Sequence, residues 1–198
     1  MSSGRIETRR KILTACWTLL DTDAGAGVRM SDIAKAAGVS RQALYLHFKT
    51  RADLFIATTQ FIDEALASED HLASYRAAHD PAEKIAIFIS EWARHMENIQ
   101  GVARALFVAA PTDPEADAAW SERMAAIHAL CLDMTKGLAA AGRLRPGLSA
   151  KRAADLLAVT ISFQTWDRLR HDYGWSRGAY VSHITAQALT GLTGELAS

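Results

Sequence analysis

Residues 31–48 (Ser-Asp-Ile-Ala-Lys-Ala-Ala-Gly-Val-Ser-Arg-Gln-Ala-Leu-Tyr-Leu-His-Phe) leave the chain few structural choices. The apolar positions Ile33, Ala34, Ala37, Val39, Leu44 and Phe48 fall three, four or five apart, which predicts two short helices packed through one face. Gly38 stands where the first helix must stop, and a residue just past a helix end often takes a positive φ that glycine adopts at little cost. Ser40 then stands at the N-cap of the second helix, its hydroxyl free to accept a backbone N–H. Arg41, Gln42, Ala43, Tyr45 and His47 are left facing outward, and such side chains can donate to phosphates and to base edges in a major groove. The unit reads as a helix-turn-helix with the outer face of a DNA-binding device.

The stretch from Thr8-Arg-Arg-Lys-Ile-Leu through Leu54 resembles the N-terminal domain of the tetracycline-repressor (TetR) family of bacterial transcription regulators. Asp32-Ile-Ala, Ala37-Gly-Val-Ser, Leu44-Tyr-Leu-His-Phe-Lys and Asp53-Leu-Phe carry the resemblance, which covers about a quarter of the chain. One position departs from the family pattern. Arg29-Met30 stand where the family usually has Thr at the start of the first motif helix, and Ser31 and Asp32 remain as helix-start residues there.

Composition narrows the alternatives. Of the 198 residues, 49% are hydrophobic and only 4 are proline, which argues for a globular chain over a disordered or fibrous one. No apolar run has membrane-spanning length, and the basic N-terminus lacks the apolar segment of a signal peptide. Cys16 and Cys131 are too far apart in sequence to suggest a disulfide framework, so a cytoplasmic, reducing setting is expected. The net charge of zero conceals an asymmetry: residues 1–51 carry 9 Lys and Arg against 4 Asp and Glu, and the remainder carries 13 against 18. A basic head on an acidic body points to a polyanion that meets the head alone.

No strand-like alternation occurs, so the fold class expected is all-α, with about nine helices. The first covers about 5–21, with Ile6, Leu13, Cys16, Trp17 and Leu20 on one face and the loop Asp21–Gly27 ending it. Two motif helices follow. A fourth starts at the capping box Thr50-Arg-Ala-Asp53 and is expected to reach about residue 75. Asp80-Pro-Ala-Glu83 opens a fifth that should end near Gly101, followed by a short sixth (102–110). Asp113-Pro114-Glu115 opens the seventh; the eighth (about 149–171) and ninth (about 177–193) follow. The expected division is a DNA-binding domain at 1–51 and a helical effector-binding and dimerisation domain at 52–198, the fourth helix running from the head into the body.

In the head, Arg41 and Gln42 lie at the end of the recognition helix that enters the groove, as candidates for guanine and adenine contacts. Tyr45 suits a phosphate and His47 a base or phosphate, although both could instead pack on neighbouring helices. Lys49, Thr50 and Arg51 surround the start of helix four, where free N–H groups would attract a phosphate. The resemblance implies DNA contacts at corresponding positions, and Arg29, Ser31, Ser40 and Ala43 complete the candidate set.

In the body, Phe88, Trp92, Met96, Phe107, Trp120, Met124, Cys131, Phe163 and Trp166 recur at helical spacing. Such residues commonly form core; together they could wall an apolar pocket, which is where the resembling family binds effectors, with His128 or Gln164 as polar anchors. His128 and Cys131 share a face, but without further ligands at matching spacing no metal site is expected. Glu91 and His95 read as a solvated or packed pair. Helix eight is apolar on nearly every side, which calls for a second partner. In the family the last two helices pair with their copies, implying a homodimer interface at Leu157, Ile161, Val181, Ile184 and Ala188.

No phosphate loop, nucleophile elbow, His-Glu-x-x-His or carboxylate cluster is present, so no catalytic residue or cofactor is expected. The reading is a ligand-responsive regulator, a repressor binding double-stranded DNA at an inverted-repeat operator as a homodimer, released by a small apolar or amphipathic effector. Two others stay open: an all-α enzyme or small-molecule carrier with an incidental basic head, and a DNA-binding protein whose pocket is filled by its own side chains.

Overall fold

Ser40, Ser149, Ser162 and Ser176 each accept a backbone N–H from three residues on, at 3.0, 3.3, 3.3 and 3.1 Å, and a helix begins after each. The computed structural model describes residues 3–22, 27–66 and 70–194. Its helices are α1 (Ser3–Thr22), α2 (Met30–Ala36), α3 (Arg41–His47), α4 (Arg51–Leu66), α5 (Asp70–Ala77), α6 (Pro81–Ala109), α7 (Pro114–Ala140), α8 (Ala150–Thr160), α9 (Phe163–Asp167) and α10 (Arg177–Thr193). A π-helical turn, Arg168–Asp172, continues α9. The fold is all-α, and no helix among the described residues is long and apolar enough to cross a membrane.

Of the expected fourth helix, α4 is described as far as Leu66 and α5 from Asp70, and residues 67–69 lie outside the described set. Helix boundaries move from expectation in two places. Gly101 ends nothing: α6 runs through it to Ala109. The glycine is required by packing, because a Cβ there would lie 2.6 Å from the Leu20 carbonyl carbon of α1. The expected eighth helix breaks at Ile161–Ser162, where the Ser162 hydroxyl caps α9 by accepting from Thr165 N. Expected residues 23–26 of the loop after α1 lie outside the described set.

The chain divides into two compact units. One comprises Met1–Ala67 and Asn98–Glu122; the other comprises Ser68–Glu97 and Arg123–Ser198. The divisions after Glu97 and after Glu122 fall inside α6 and α7.

In the first unit Ile12, Cys16, Leu20, Ile33, Leu44, Leu54, Phe55 and Ile62 are fully buried. Ile6, expected on the same face of α1, is exposed, since the first turn of the helix outruns its packing partners. Trp17 donates its indole N–H to the Asn98 carbonyl at 3.1 Å and meets Phe61 edge-on. Burial pushes the Cys16 thiol up to about 12, leaving an inert core side chain.

In the second unit Ile85, Ile89, Leu138, Leu157, Ile161, Trp166, Tyr180 and Ile184 form the centre of the core. The turn between the last helices is tied by Glu97, which accepts from Arg170 at 2.7 Å and from Arg177 at 2.9 Å. Asp80 caps α6 through the Ala82 N–H at 2.8 Å and binds Arg143, and these contacts hold its carboxyl below the usual range.

Candidate nucleic-acid interface

The turn between α2 and α3 is built from local chemistry. Val39 N–H donates to the Ala34 carbonyl at 3.0 Å, and Gly38 sits at φ +67°, where any other residue would be strained. Ser40 then caps α3 through Ala43 N. Leu44 (0%) and Phe48 (2%) anchor α3 in the core, while Ala37 and Val39 are half-buried. Because those anchors occupy one face, Arg41, Gln42 and Tyr45 stand exposed on the other, with Ala43 half-buried between. The Arg41 guanidinium lies over the Tyr45 ring, 5.6 Å from its centroid, so the pair presents a cation and a hydroxyl side by side. Sequence reasoning passed over Leu46, which is 74% exposed on this helix.

Arg29, not Ser31, occupies the N-cap of α2. Its backbone N–H donates to the Asp32 carboxylate at 3.1 Å, so the first turn is closed from inside the helix and the Arg29 side chain stays exposed. Ser31 is exposed in that first turn.

His47 is half-buried, and its pKa lies below the usual 6.5, because of burial first and then the nearby charges of Arg5 and Arg9. Arg9 also caps the Phe48 ring at 4.5 Å. These two arginines of α1 belong to the basic surface around α3 and were missing from the candidates. Their i, i+4 spacing was visible, but nothing local says that this stripe of α1 meets α3.

The start of α4 is capped as the sequence leads one to expect. Asp53 N–H donates to the Thr50 hydroxyl at 3.0 Å and Thr50 N–H to the Asp53 carboxylate at 3.3 Å, a completed capping box. Thr50 also donates its hydroxyl to Glu115 at 2.6 Å. Asp53 and Glu115 thus bring two carboxylates to the start of α4. Lys49 is exposed beside it. Arg51 is half-buried over the Phe55 ring at 5.0 Å, and its Nε makes no hydrogen bond within the described residues.

The body candidates separate. Phe107 and Trp120 belong to the first unit, their ring centroids 5.2 Å apart. Trp92, Met96, Cys131, Phe163 and Trp166 are buried in the second unit, with Phe88 and Met124 half-buried. The expected polar anchors lie at the surface: His128 pairs with Asp155 at 2.7 Å, and Gln164 is exposed on the short α9. Glu91 binds Arg94 at 3.1 Å, while the His95 ring lies tilted beside Trp92, centroids 6.5 Å apart.

Tyr180 was not anticipated. It is fully buried edge-on to Trp166, centroids 4.8 Å apart, and burial raises its phenol pKa. The Trp92 indole N–H is the hydrogen-bonding neighbour of the Tyr180 hydroxyl and partly offsets that rise, while the Trp166 indole N–H finds no acceptor among the described residues.

Of the expected interface residues, Leu157, Ile161, Ile184 and Ala188 are buried within the chain itself, and Val181 is half-buried. The large apolar side chains that α8 leaves on its surface are Leu156 (46%) and Val159 (70%). They line an open groove of about 600 Å³ with Pro146, Leu148, Arg145, Arg152 and Asp155.

Residues 12–58 match the family model of bacterial regulatory proteins, tetR family. Nucleoid occlusion factor SlmA of Marinomonas sp. is 38% identical over 66 residues, 33% of this chain and 34% of that one. The SlmA of Shewanella pealeana is 37% identical over 71 residues, 36% of each chain. The match thus spans about a third of the length of these curated relatives. Among solved structures, NalD of Pseudomonas aeruginosa, the secondary repressor of the MexAB-OprM multidrug efflux pump, superposes with a TM-score of 0.70 at 22% identity, over 98% of this chain and 100% of that one. FadR of Bacillus subtilis in complex with stearoyl-CoA superposes with a TM-score of 0.72 at 18% identity, over 92% and 98%. These likenesses extend the shared fold over nearly the whole chain.

Proposed function

We propose that this chain, which belongs through residues 12–58 to the tetR family of bacterial regulatory proteins, is a DNA-binding transcription regulator that represses as a homodimer and is released by a small molecule. The observation that carries the reading is the two-sided α3, with Leu44 and Phe48 sealed in the core and Arg41, Gln42 and Tyr45 presented outward within a basic surface. A single α3 reads only a few base pairs, so useful selectivity requires two copies on an inverted repeat.

The partner copy meets the outer face of α8, where Leu156 and Val159 offer apolar area that no helix of the same chain covers. The effector site lies in the second unit around Trp92, Trp166 and Tyr180. Support comes from the Trp166 indole N–H, which has no acceptor among the described residues, and from the neighbouring Trp92–Tyr180 polar pair, all set among buried apolar side chains, which suits an amphipathic molecule carrying an oxygen acceptor. NalD is a repressor and FadR binds stearoyl-CoA in its structure, which makes both roles reasonable for this fold. α6 and α7 are the helices whose residues belong to both units, and we assign the signal to them in place of α4, which lies wholly within the first. A coupling of about 1–3 kcal/mol between effector and operator would change DNA affinity roughly 5–150-fold.

Mobility-shift titration tests the reading. Arg41→Ala should relax preference at one base pair per half-site and weaken binding by about 1–3 kcal/mol. Lys49→Ala should weaken all duplexes alike and flatten the salt dependence. If Arg41→Ala changes neither affinity nor base preference, the assignment of α3 falls. For the effector, Tyr180→Phe should leave the free protein as stable as before while reducing the thermal stabilisation given by a carboxylate- or carbonyl-bearing amphiphile found by screening.

A further inference from the structure

We infer that Leu46 is a base reader: it contacts a thymine methyl in each half of the operator, one to two base pairs from the pair that faces Gln42. The inference rests on the regulator reading above and adds a specificity residue to it. Leu46 is the most exposed large apolar side chain among the described residues, at 74%. Its position gives that exposure meaning. It lies on α3 between Tyr45 and His47, with Arg41 on the same short helix, Lys49 just beyond it, and Arg5 and Arg9 beside His47. A polyanion is the partner that this charge selects, and Leu46 stands in the middle of it.

Gln42 and Leu46 are four residues apart and share one helix face. At about 1.5 Å of rise per residue their Cα atoms are about 6 Å apart along the axis, against about 3.4 Å per base-pair step. The two side chains therefore reach different base pairs, up to two steps apart. In the major groove a leucine that faces polar base edges displaces their water and returns no hydrogen bond. The C5 methyl of thymine is the one apolar feature that an unmodified base pair displays there. Gln42 suits adenine and Leu46 suits thymine, so each half-site carries an A·T pair under both.

Duplexes enriched from a random pool by the purified protein supply the operator. That operator is then remade with deoxyuridine replacing one thymidine at a time, which removes the methyl and keeps every hydrogen bond. At one position per half-site the wild-type protein should lose affinity about fourfold, the ~0.8 kcal/mol expected for one buried methyl. Leu46→Ala should bind the thymidine and deoxyuridine duplexes equally at that position. Leu46→Gln, which keeps chain length and helix propensity, should do the same. If no deoxyuridine duplex is penalised, or if the penalty persists in both variants, Leu46 does not read the methyl. If the pool yields no enriched sequence, the regulator reading itself fails and this assignment falls with it.

Discussion

The Thr50 hydroxyl donates to the Glu115 carboxylate at 2.6 Å, joining the cap of α4 to the first turn of α7 across 65 positions of sequence. The bond places a negative charge where the DNA head would present its next donor to a phosphate. Glu115→Gln keeps the shape and removes the charge. Operator affinity should rise about two- to fivefold at low salt, as expected for one fewer repulsion near the backbone, and the gain should fade as salt screens it. Fluorescence anisotropy at two salt concentrations reads this directly; unchanged affinity at low salt would place Glu115 away from the bound duplex.

Gly101→Ala should destabilise the protein by about 1–3 kcal/mol, because the new methyl meets the Leu20 backbone, which cannot rotate away. The helix-propensity gain of about 1 kcal/mol for replacing a mid-helix glycine is outweighed. Gly137→Ala in α7 is the control: its Cβ would find only an ordinary contact, 3.8 Å from Pro81, so urea denaturation should show no loss of stability.

His47 carries the pH dependence of the head. Its pKa lies below 6.5, so the folded protein binds fewer protons than the unfolded chain just under that pH, and its contribution to stability declines as pH falls through this window. A phosphate brought against the ring favours the charged form and raises the pKa again. Operator binding should therefore take up protons and tighten as pH drops from about 7.5 towards 6, the range in which an ordinary histidine begins to charge. In His47→Gln the same titration should be flat, and an equal slope in both proteins would remove His47 from the interface.

Val159→Asp and Leu157→Asp should part company. Val159 is 70% exposed, so its replacement leaves each chain folded by circular dichroism while sedimentation shows the dimer dissociating. Leu157 is 1% exposed, and a carboxylate there costs several kcal/mol of desolvation, so the fold itself should fail. A Val159→Asp protein that stays dimeric would move the interface off the outer face of α8.

The helix-turn-helix was legible in the chain because its determinants are local. Gly38 answers a backbone angle, Ser40 a cap three residues on, and the Thr50–Asp53 box needs only four consecutive residues. All-α class, the head and the starts at Asp80 and Asp113 come from the same short-range chemistry. Tertiary structure decided the rest. Helical periodicity names a buried face without its width, so Leu156 and Leu157 looked alike until a neighbouring helix covered one and left the other. Gly101 read as a stop because its reason, the backbone of Leu20, lies 81 residues away in sequence. Arg5 and Arg9 gathered around His47, and Glu115 reached Thr50, for one physical cause: a side chain's electrostatic and packing partners are set by what the fold brings beside it, which three- or four-residue spacing cannot encode.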